Sequence, residues 1–220
     1  MPRLGAVTIG QSPRTDIIPE LRTVLGAEIE IVEAGALDGL APEEIRALAP
    51  VGGDTVLVTR LRDGSGVRVG HQHVVPRLVR RVEEIAAQVD AVLLLCTGSF
   101  HPFRTEIPVL YPERLLFGLV RAVAGDGHVG VITPDPGQVE EQRARWGEIV
   151  HRVTVLSASP YADAAVLPAL GRQLANAGVD LIILDSLGYS LVMKQTIRQA
   201  SGLPVLLPRT VLARAAAELL

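Results

Sequence analysis

Two short runs of unbroken apolar residues, Ala91-Val92-Leu93-Leu94-Leu95 and Leu181-Ile182-Ile183-Leu184, constrain this chain more than any other feature. A strand with one face in water alternates apolar and polar residues. A run without alternation, bounded by polar or turn-forming residues and too short for a helix, predicts a central strand covered on both faces. Further Val/Ile/Leu runs are read as strands at Leu4–Ile9, Glu28–Val32, Thr55–Thr59, Val129–Thr133, Arg152–Leu156 and Val205–Leu207. Helical periodicity falls over Thr15–Leu25, Val74–Gln88, Pro112–Ala124, Gly137–Ile149, Asp163–Ala177, Ser190–Ala200 and Thr210–Leu219, with Pro168 expected to kink its helix or mark the first turn. Strand and helix in alternation predict an α/β fold with mainly parallel sheets flanked by helices. Asp63-Gly64 between alternating segments predicts a β-hairpin inserted between Thr55 and Gly70.

The chain also repeats itself weakly. Gly5-Ala-Val-Thr-Ile matches Gly130-Val-Ile-Thr-Pro at an offset of 125 residues, and Asp90-Ala-Val-Leu-Leu-Leu-Cys-Thr-Gly matches Asp180-Leu-Ile-Ile-Leu-Asp-Ser-Leu-Gly at an offset of 90. The difference of 35 is about what the hairpin and its flanks add to the first half. The expected organisation is two pseudo-symmetric lobes: residues 1–110 plus 207–220 carrying Cys96, and 111–206 carrying Ser186.

Composition excludes several classes of function. A net charge of −3 and a pI near 6.0 provide no basic footprint for nucleic acid, so no nucleic-acid partner is expected. The N-terminal residues lack the apolar core of a signal peptide, no stretch is long enough to span a bilayer, and the lone cysteine fits a reducing compartment; the expected location is the cytoplasm, without membrane association. No Walker loop or Gly-x-Gly-x-x-Gly appears, so no nucleotide cofactor is expected. His71, His73 and His101 together with Cys96 invite a zinc reading, but no helix-spaced His pair or Cys-x-x-Cys supports it, and no metal is expected.

In parallel α/β sheets, ligands collect beyond the carboxyl ends of the strands, where loop N–H groups favour anions. Four loops qualify: Gly10-Gln11-Ser12-Pro13-Arg14, Cys96-Thr97-Gly98-Ser99, Thr133-Pro134-Asp135-Pro136 and Ser186-Leu187-Gly188-Tyr189. Cys96 follows a buried strand and precedes a turn whose N–H groups would activate a thiol; the alternative is an inert core cysteine. Ser186 holds the repeat-related position and reads equally as a cap or turn residue. Gln11, Ser12 and Arg14 are candidates for binding a carboxylate, Arg14 by a bidentate pair. Gly10, Thr97, Gly98, Thr133, Leu187, Gly188 and Tyr189 complete the candidate binding set, Tyr189 being equally readable as a core aromatic.

These loops carry a resemblance. Cys-Thr-Gly and Asp-Ser-Leu-Gly at matching ends of two half-repeats, with Thr8-Ile9-Gly10 opening the chain, resemble the aspartate/glutamate racemase superfamily. Val7-Thr8-Ile9-Gly10, Gly53-Asp54-Thr55, Val129-Gly130-Val131-Ile132, Leu184-Asp185-Ser186-Leu187-Gly188-Tyr189 and the tail from Leu212 to Leu219 resemble the AroM-like family within it, almost end to end. The superfamily resemblance implies facing catalytic positions on two lobes, here Cys96 and Ser186. In its two-cysteine racemases, paired thiols remove and return a proton next to a carboxylate; its one-cysteine members perform decarboxylation or cis–trans isomerisation. Serine at the second position departs from the two-thiol pattern, because a hydroxyl is a far poorer base than a thiol of pKa about 8.5. The expectation is a cofactor-independent enzyme of isomerase, racemase or decarboxylase type acting on a small carboxylate in an interlobe cleft. A noncatalytic small-anion-binding or accessory protein is the alternative, and a homodimer is the default assembly.

Overall fold

The computed structural model describes residues 1–220, which divide into two compact units, Met1–Glu113 with Leu212–Leu220 and Arg114–Val211. The first holds a parallel four-stranded sheet, order β2-β1-β5-β6, from β1 (Arg3–Thr8), β2 (Glu30–Gly35), β5 (Ala91–Leu95) and β6 (Val109–Leu110). Its helices are α1 (Ile18–Leu25), the short α2 (Pro42–Arg46) and the long α3 (His71–Ala86). Strands β3 (Val56–Arg60) and β4 (Gly66–Gly70) form a separate antiparallel hairpin, Val56 opposite Gly70 and Arg60 opposite Gly66. The second unit repeats the parallel sheet in the order β10-β9-β7-β8, from β7 (His128–Thr133), β8 (Arg152–Ser157), β9 (Leu181–Leu184) and β10 (Val205–Leu206). Its helices are α4 (Pro112–Ala124), α5 (Val139–Gly147), α6 (Leu167–Asn176) and α7 (Leu191–Ser201), while α8 (Pro208–Ala217) returns the chain to the first unit.

The apolar runs are the sheet centres. Every residue of β5 and of β9 is buried, and their side chains alternate between two cores as a pleated strand requires. In the second unit Ile182 and Leu184 pack with Ile132, Leu174 and Ile197, whereas Leu181 and Ile183 pack with Leu116, Val129, Val131 and Trp146. The edge strands β6 and β10 span two residues each, a length that offers little template for a foreign strand.

Strand register confirms the internal repeat. Leu4 pairs with Ala91 in the first sheet and Val129 with Leu181 in the second, which are the same positions displaced by 125 and 90 residues. Packing repeats as well. A Cβ on Gly5 would stand 3.2 Å from Val89, and one on Gly130 would stand 3.2 Å from Val179 and 3.0 Å from Leu174. Both glycines thus let the segment leading into the third strand of the sheet press directly on the first.

Several boundaries differ from the sequence reading for physical reasons. The first helix begins at Ile18 rather than Thr15, because Arg14 to Ile17 form a turn in which Ile17 and Ile18 N–H both bond the Arg14 carbonyl at 3.0 Å. The second strand lies over Glu30–Gly35 rather than Glu28–Val32, since its pairing with β1 runs from Arg3–Glu30 to Thr8–Gly35. The helices expected from Gly137 and Asp163 each start with a separate 3₁₀ turn, Pro136–Gln138 and Ala164–Val166, capped by Asp135 and Asp163. Pro168 falls in the first turn of α6, where its missing N–H has no helical partner to lose. Helix α2 and strand β6 had no counterpart in the sequence reading, being too short for periodicity to reveal. No helix is long and apolar enough to cross a membrane.

The packing of Gly130 and the open setting of Gly118 predict opposite responses. Gly130→Val drives methyl groups into Leu174 and should cost about 1–3 kcal/mol. Gly118→Ala, on an exposed face of α4 with nothing near its missing Cβ, should stabilise by roughly 0.5–1 kcal/mol. Urea unfolding of the two variants measures both.

Candidate functional site

Because β5 and β9 pair with β1 and β7 in the same register, Cys96 and Ser186 stand at equivalent positions, Cys96 one residue beyond the end of β5 and Ser186 two beyond the end of β9. Each then enters the same turn. The Gly98 N–H donates to Cys96 Sγ at 3.3 Å, and the Gly188 N–H donates to Ser186 Oγ at 3.1 Å. This is the local hydrogen bond by which serine-like side chains close a turn on the second following N–H. It orients the heteroatom and directs an N–H dipole at it. Cys96 is 9% exposed and Ser186 8%, so both lie at the border of burial.

In the first unit the loop after β1 is braced by charge. Thr8 Oγ1 accepts from the Gly10 N–H at 3.1 Å and from Arg14 Nη1 at 2.9 Å. Arg14 is buried, and it grips Asp16 in a bidentate pair, Nε to Oδ1 at 2.9 Å and Nη2 to Oδ2 at 2.8 Å. The two-point carboxylate contact expected of Arg14 is therefore made within the chain. Ser12 is also engaged: its N–H and hydroxyl donate to the Asp38 carboxylate at 2.8 and 2.5 Å, and Asp38 takes a third bond from the Gly35 N–H. Gln11 Oε1 accepts from the Arg62 N–H at 2.9 Å, which ties the loop to the segment following β3.

In the second unit Thr133, at the end of β7, donates to Gln138 Oε1 at 2.8 Å, and Asp135 Oδ1 accepts from the Gly137 N–H at 2.8 Å. The Leu187 carbonyl accepts from Nε and Nη2 of the buried Arg209, at 3.1 and 2.6 Å, so the Ser186 turn is held from α8. Tyr189 is a core aromatic whose hydroxyl donates to the Ala158 carbonyl at 2.5 Å. Burial first, then the Asp185 charge and Tyr161, raise its pKa well above the ordinary value, so it stays a neutral donor. Asp185 accepts from Trp146 Nε1 at 2.9 Å in a fully buried setting.

Asp38, Asp185, Trp146 and Arg209 were not singled out from sequence. Asp185 alone left a signal, an acid placed directly after an apolar strand where the other repeat carries Leu95. Arg209 and Asp38 lie 22 and 26 residues from the groups they hold, a distance no local pattern reports. His71 donates from Nε2 to the Ser99 carbonyl at 3.0 Å. No group of three or more His, Cys, Asp or Glu side chains is placed to hold a metal ion.

The AroM protein family matches residues 4–220. The chain belongs to that family. No curated protein sequence matches it significantly. Among solved structures, the AroM chain is similar to allantoin racemase from Klebsiella pneumoniae, with a TM-score of 0.65 at 12% identity, over 100% of this chain and 87% of that one. It is similar to maleate isomerase Iso from Pseudomonas putida S16, with a TM-score of 0.65 at 15% identity, over 99% and 92% of the two chains. It is also similar to arylmalonate decarboxylase, with a TM-score of 0.61 at 17% identity, over 100% and 92%. At these identities the likeness establishes the fold, which is that of the aspartate/glutamate racemases.

Two predictions follow from the braced loops. Burial pushes the Asp16 carboxyl upward, but the hydrogen bonds and charge of Arg14 outweigh it and hold the group below its ordinary value. A lowered native pKa contributes stability that is complete above the unfolded value of about 3.9 and disappears as pH falls through the native one. Asp16→Asn should accordingly lower stability at neutral pH and flatten its dependence on pH below about 4, read from urea unfolding as pH is lowered. Gly188→Ala puts a Cβ 2.6 Å from the Tyr161 hydroxyl and 2.7 Å from Pro160. It should cost about 1–3 kcal/mol through overpacking, measured by thermal unfolding.

Proposed function

We propose that this AroM-family chain is a cofactor-independent enzyme acting on a small carboxylate, with Cys96 as its proton-transfer or nucleophilic group. The observation that carries the reading is the Cys96 turn: the only thiol of the chain stands at the end of the central strand β5, with the Gly98 N–H directed at its sulfur. An N–H aimed at sulfur favours the thiolate, the form that acts as base or nucleophile. The racemase, isomerase and decarboxylase that share this fold support a reaction at a carbon next to a carboxylate or a related acid carbon.

In the proton-transfer form, the thiolate takes the proton from that carbon and the electron pair passes into the carboxylate as an enediolate. The same thiol then returns the proton; in the decarboxylation form no proton is removed first, the bond to the departing carbon dioxide breaks, its electron pair forms the enediolate, and the Cys96 thiol gives its proton to that carbon. Loop N–H groups stabilise the developing charge, as oriented dipoles do without reorganising. With Arg14 committed to Asp16 and Ser12 to Asp38, these residues and Tyr189 hold the loops in shape. In the Cys96 unit, substrate contact falls to the main-chain N–H groups of Gly10, Thr97 and Gly98. Ser186 has the thiol's geometry without its acidity, which makes the chemistry one-sided.

Cys96 should react with iodoacetamide faster than a free thiol at pH 7, and small dicarboxylates should slow it. A thiol that is both unreactive and unprotected favours the noncatalytic anion-binding reading, for which Ser186 in place of a second thiol is the specific support.

The Cys96/Ser186 asymmetry also predicts stereochemistry. A positioned acid/base contributes about 10²–10⁴-fold, and only one is present, so exchange of the substrate's carbon-bound proton in deuterated water should retain configuration much faster than it inverts it. Ser186→Cys should raise the inversion rate. NMR follows deuterium and chiral chromatography follows inversion; equal rates in the unaltered protein contradict one-base chemistry.

A further inference from the structure

Helix α3 carries more apolar surface than its own core uses. Val74, Leu78, Val82 and Ile85 face the core and are buried, which accounts for one stripe of the helix. The next stripe, His71, Val75, Val79 and Glu83 at four-residue spacing, should be charged if it faced water alone. It carries two half-buried valines instead, and the loop Phe100–Arg104 stands over it. Between helix and loop lies a cavity of about 380 Å³, within the range of roughly 300–1,000 Å³ in which small-molecule sites fall.

The walls of this cavity are fixed. His71 Nε2 donates to the Ser99 carbonyl at 3.0 Å, and the Phe103 N–H donates to the Tyr111 hydroxyl at 2.7 Å. Directly after the loop, Thr105 donates to the Ile107 carbonyl at 2.9 Å. Three ring contacts join these anchors: His71 stacks on Phe100 at 5.4 Å, Phe100 meets Phe103 at 6.3 Å, and Phe103 stacks on Tyr111 at 5.7 Å. In a chain with 3% aromatic residues, two of its three phenylalanines line this one cavity.

We propose that the cavity between α3 and the Phe100–Arg104 loop is a binding site for a small planar monocarboxylate, with the ring against Phe100 and Phe103 and the carboxylate on Arg104. A flat ring adds to the existing tier by offset or edge contact, a geometry that aromatic faces favour beyond simple area burial. Arg104 is exposed at the rim and unpaired with Glu83, and its guanidinium matches a carboxylate through two parallel hydrogen bonds. Glu83, the other charged group on the rim, disfavours a second negative charge, so the site selects monoanions over dianions. It is built wholly from α3 and the loop and does not depend on Cys96 being reactive.

The test is a titration of the full chain, labelled for two-dimensional NMR, with benzoate, the neutral benzamide and the dianion phthalate. Benzoate should shift the signals of Val75, Val79 and Phe103, with benzamide and phthalate at least tenfold weaker. Arg104→Gln should weaken benzoate about tenfold, as loss of a charge-assisted hydrogen bond implies, and leave benzamide unchanged. Val79→Trp, which fills the cavity, should abolish the shifts while circular dichroism stays that of the unaltered chain. Absence of benzoate shifts at these residues overturns the proposal, as does equal affinity for benzamide. Concentration-dependent shifts of the same residues without ligand, accompanied by a dimer in sedimentation, assign the surface to a second copy of the chain and overturn it equally.

Discussion

Parallel pairing of β1 with β5 and of β7 with β9 is the constraint on which the other features rest. In a parallel ladder each residue's position is set by its neighbour's, and a slip of one residue turns every side chain to the opposite face. With the strands buried on both sides, such a slip is far too costly to occur. The register that pairs Thr8 with Leu95 therefore also fixes where the chain leaves the sheet, and Cys96 is the residue that stands there. In the second unit the position equivalent in register is Ser186, two residues beyond the end of β9. The two positions thus differ in one atom, sulfur against oxygen, each accepting from the N–H two residues on.

Buried arginines brace loops of both units, but in different places. Arg14 and Asp16 stiffen the loop beside β5 in the first unit, and Arg209 clamps the Leu187 carbonyl in the second. Buried arginines of this kind are expensive to desolvate and are tolerated only when their donors are satisfied. Their donors are turned to internal partners, Asp16 and Thr8 for Arg14 and the Leu187 carbonyl for Arg209. What the loops leave uncommitted are main-chain N–H groups, which carry no net charge and cost little to preorganise.

The hairpin of β3 and β4 is the main departure of the first unit from the second, and with α2 and the connecting segments before it accounts for the difference of 35 residues between the two offsets. It links to the loop after β1 through Gln11, whose N–H donates to the Arg60 carbonyl at 3.3 Å. The surplus apolar stripe of α3, together with the aromatic tier after Cys96, gives the first unit the cavity between α3 and the Phe100–Arg104 loop.

By itself the sequence determined the layered α/β architecture, the two sheet centres, the hairpin and the family, because those properties are written in local periodicity and in short motifs that survive as text. It located Cys96 and Ser186 at matching strand ends for the same reason: a repeat is a comparison of the chain with itself. Tertiary structure alone decided which internal partners Ser12, Arg14 and Tyr189 meet. As sequence, all three were equally good ligand groups and structural groups; in the fold each meets an internal partner, Asp38, Asp16 and the Ala158 carbonyl. A polar side chain is committed by whichever partner the packing brings within about 3 Å. For Ser12 and Tyr189 that partner lies 26 or 31 residues away, and for Arg14 it lies across a turn that helical periodicity had read as helix.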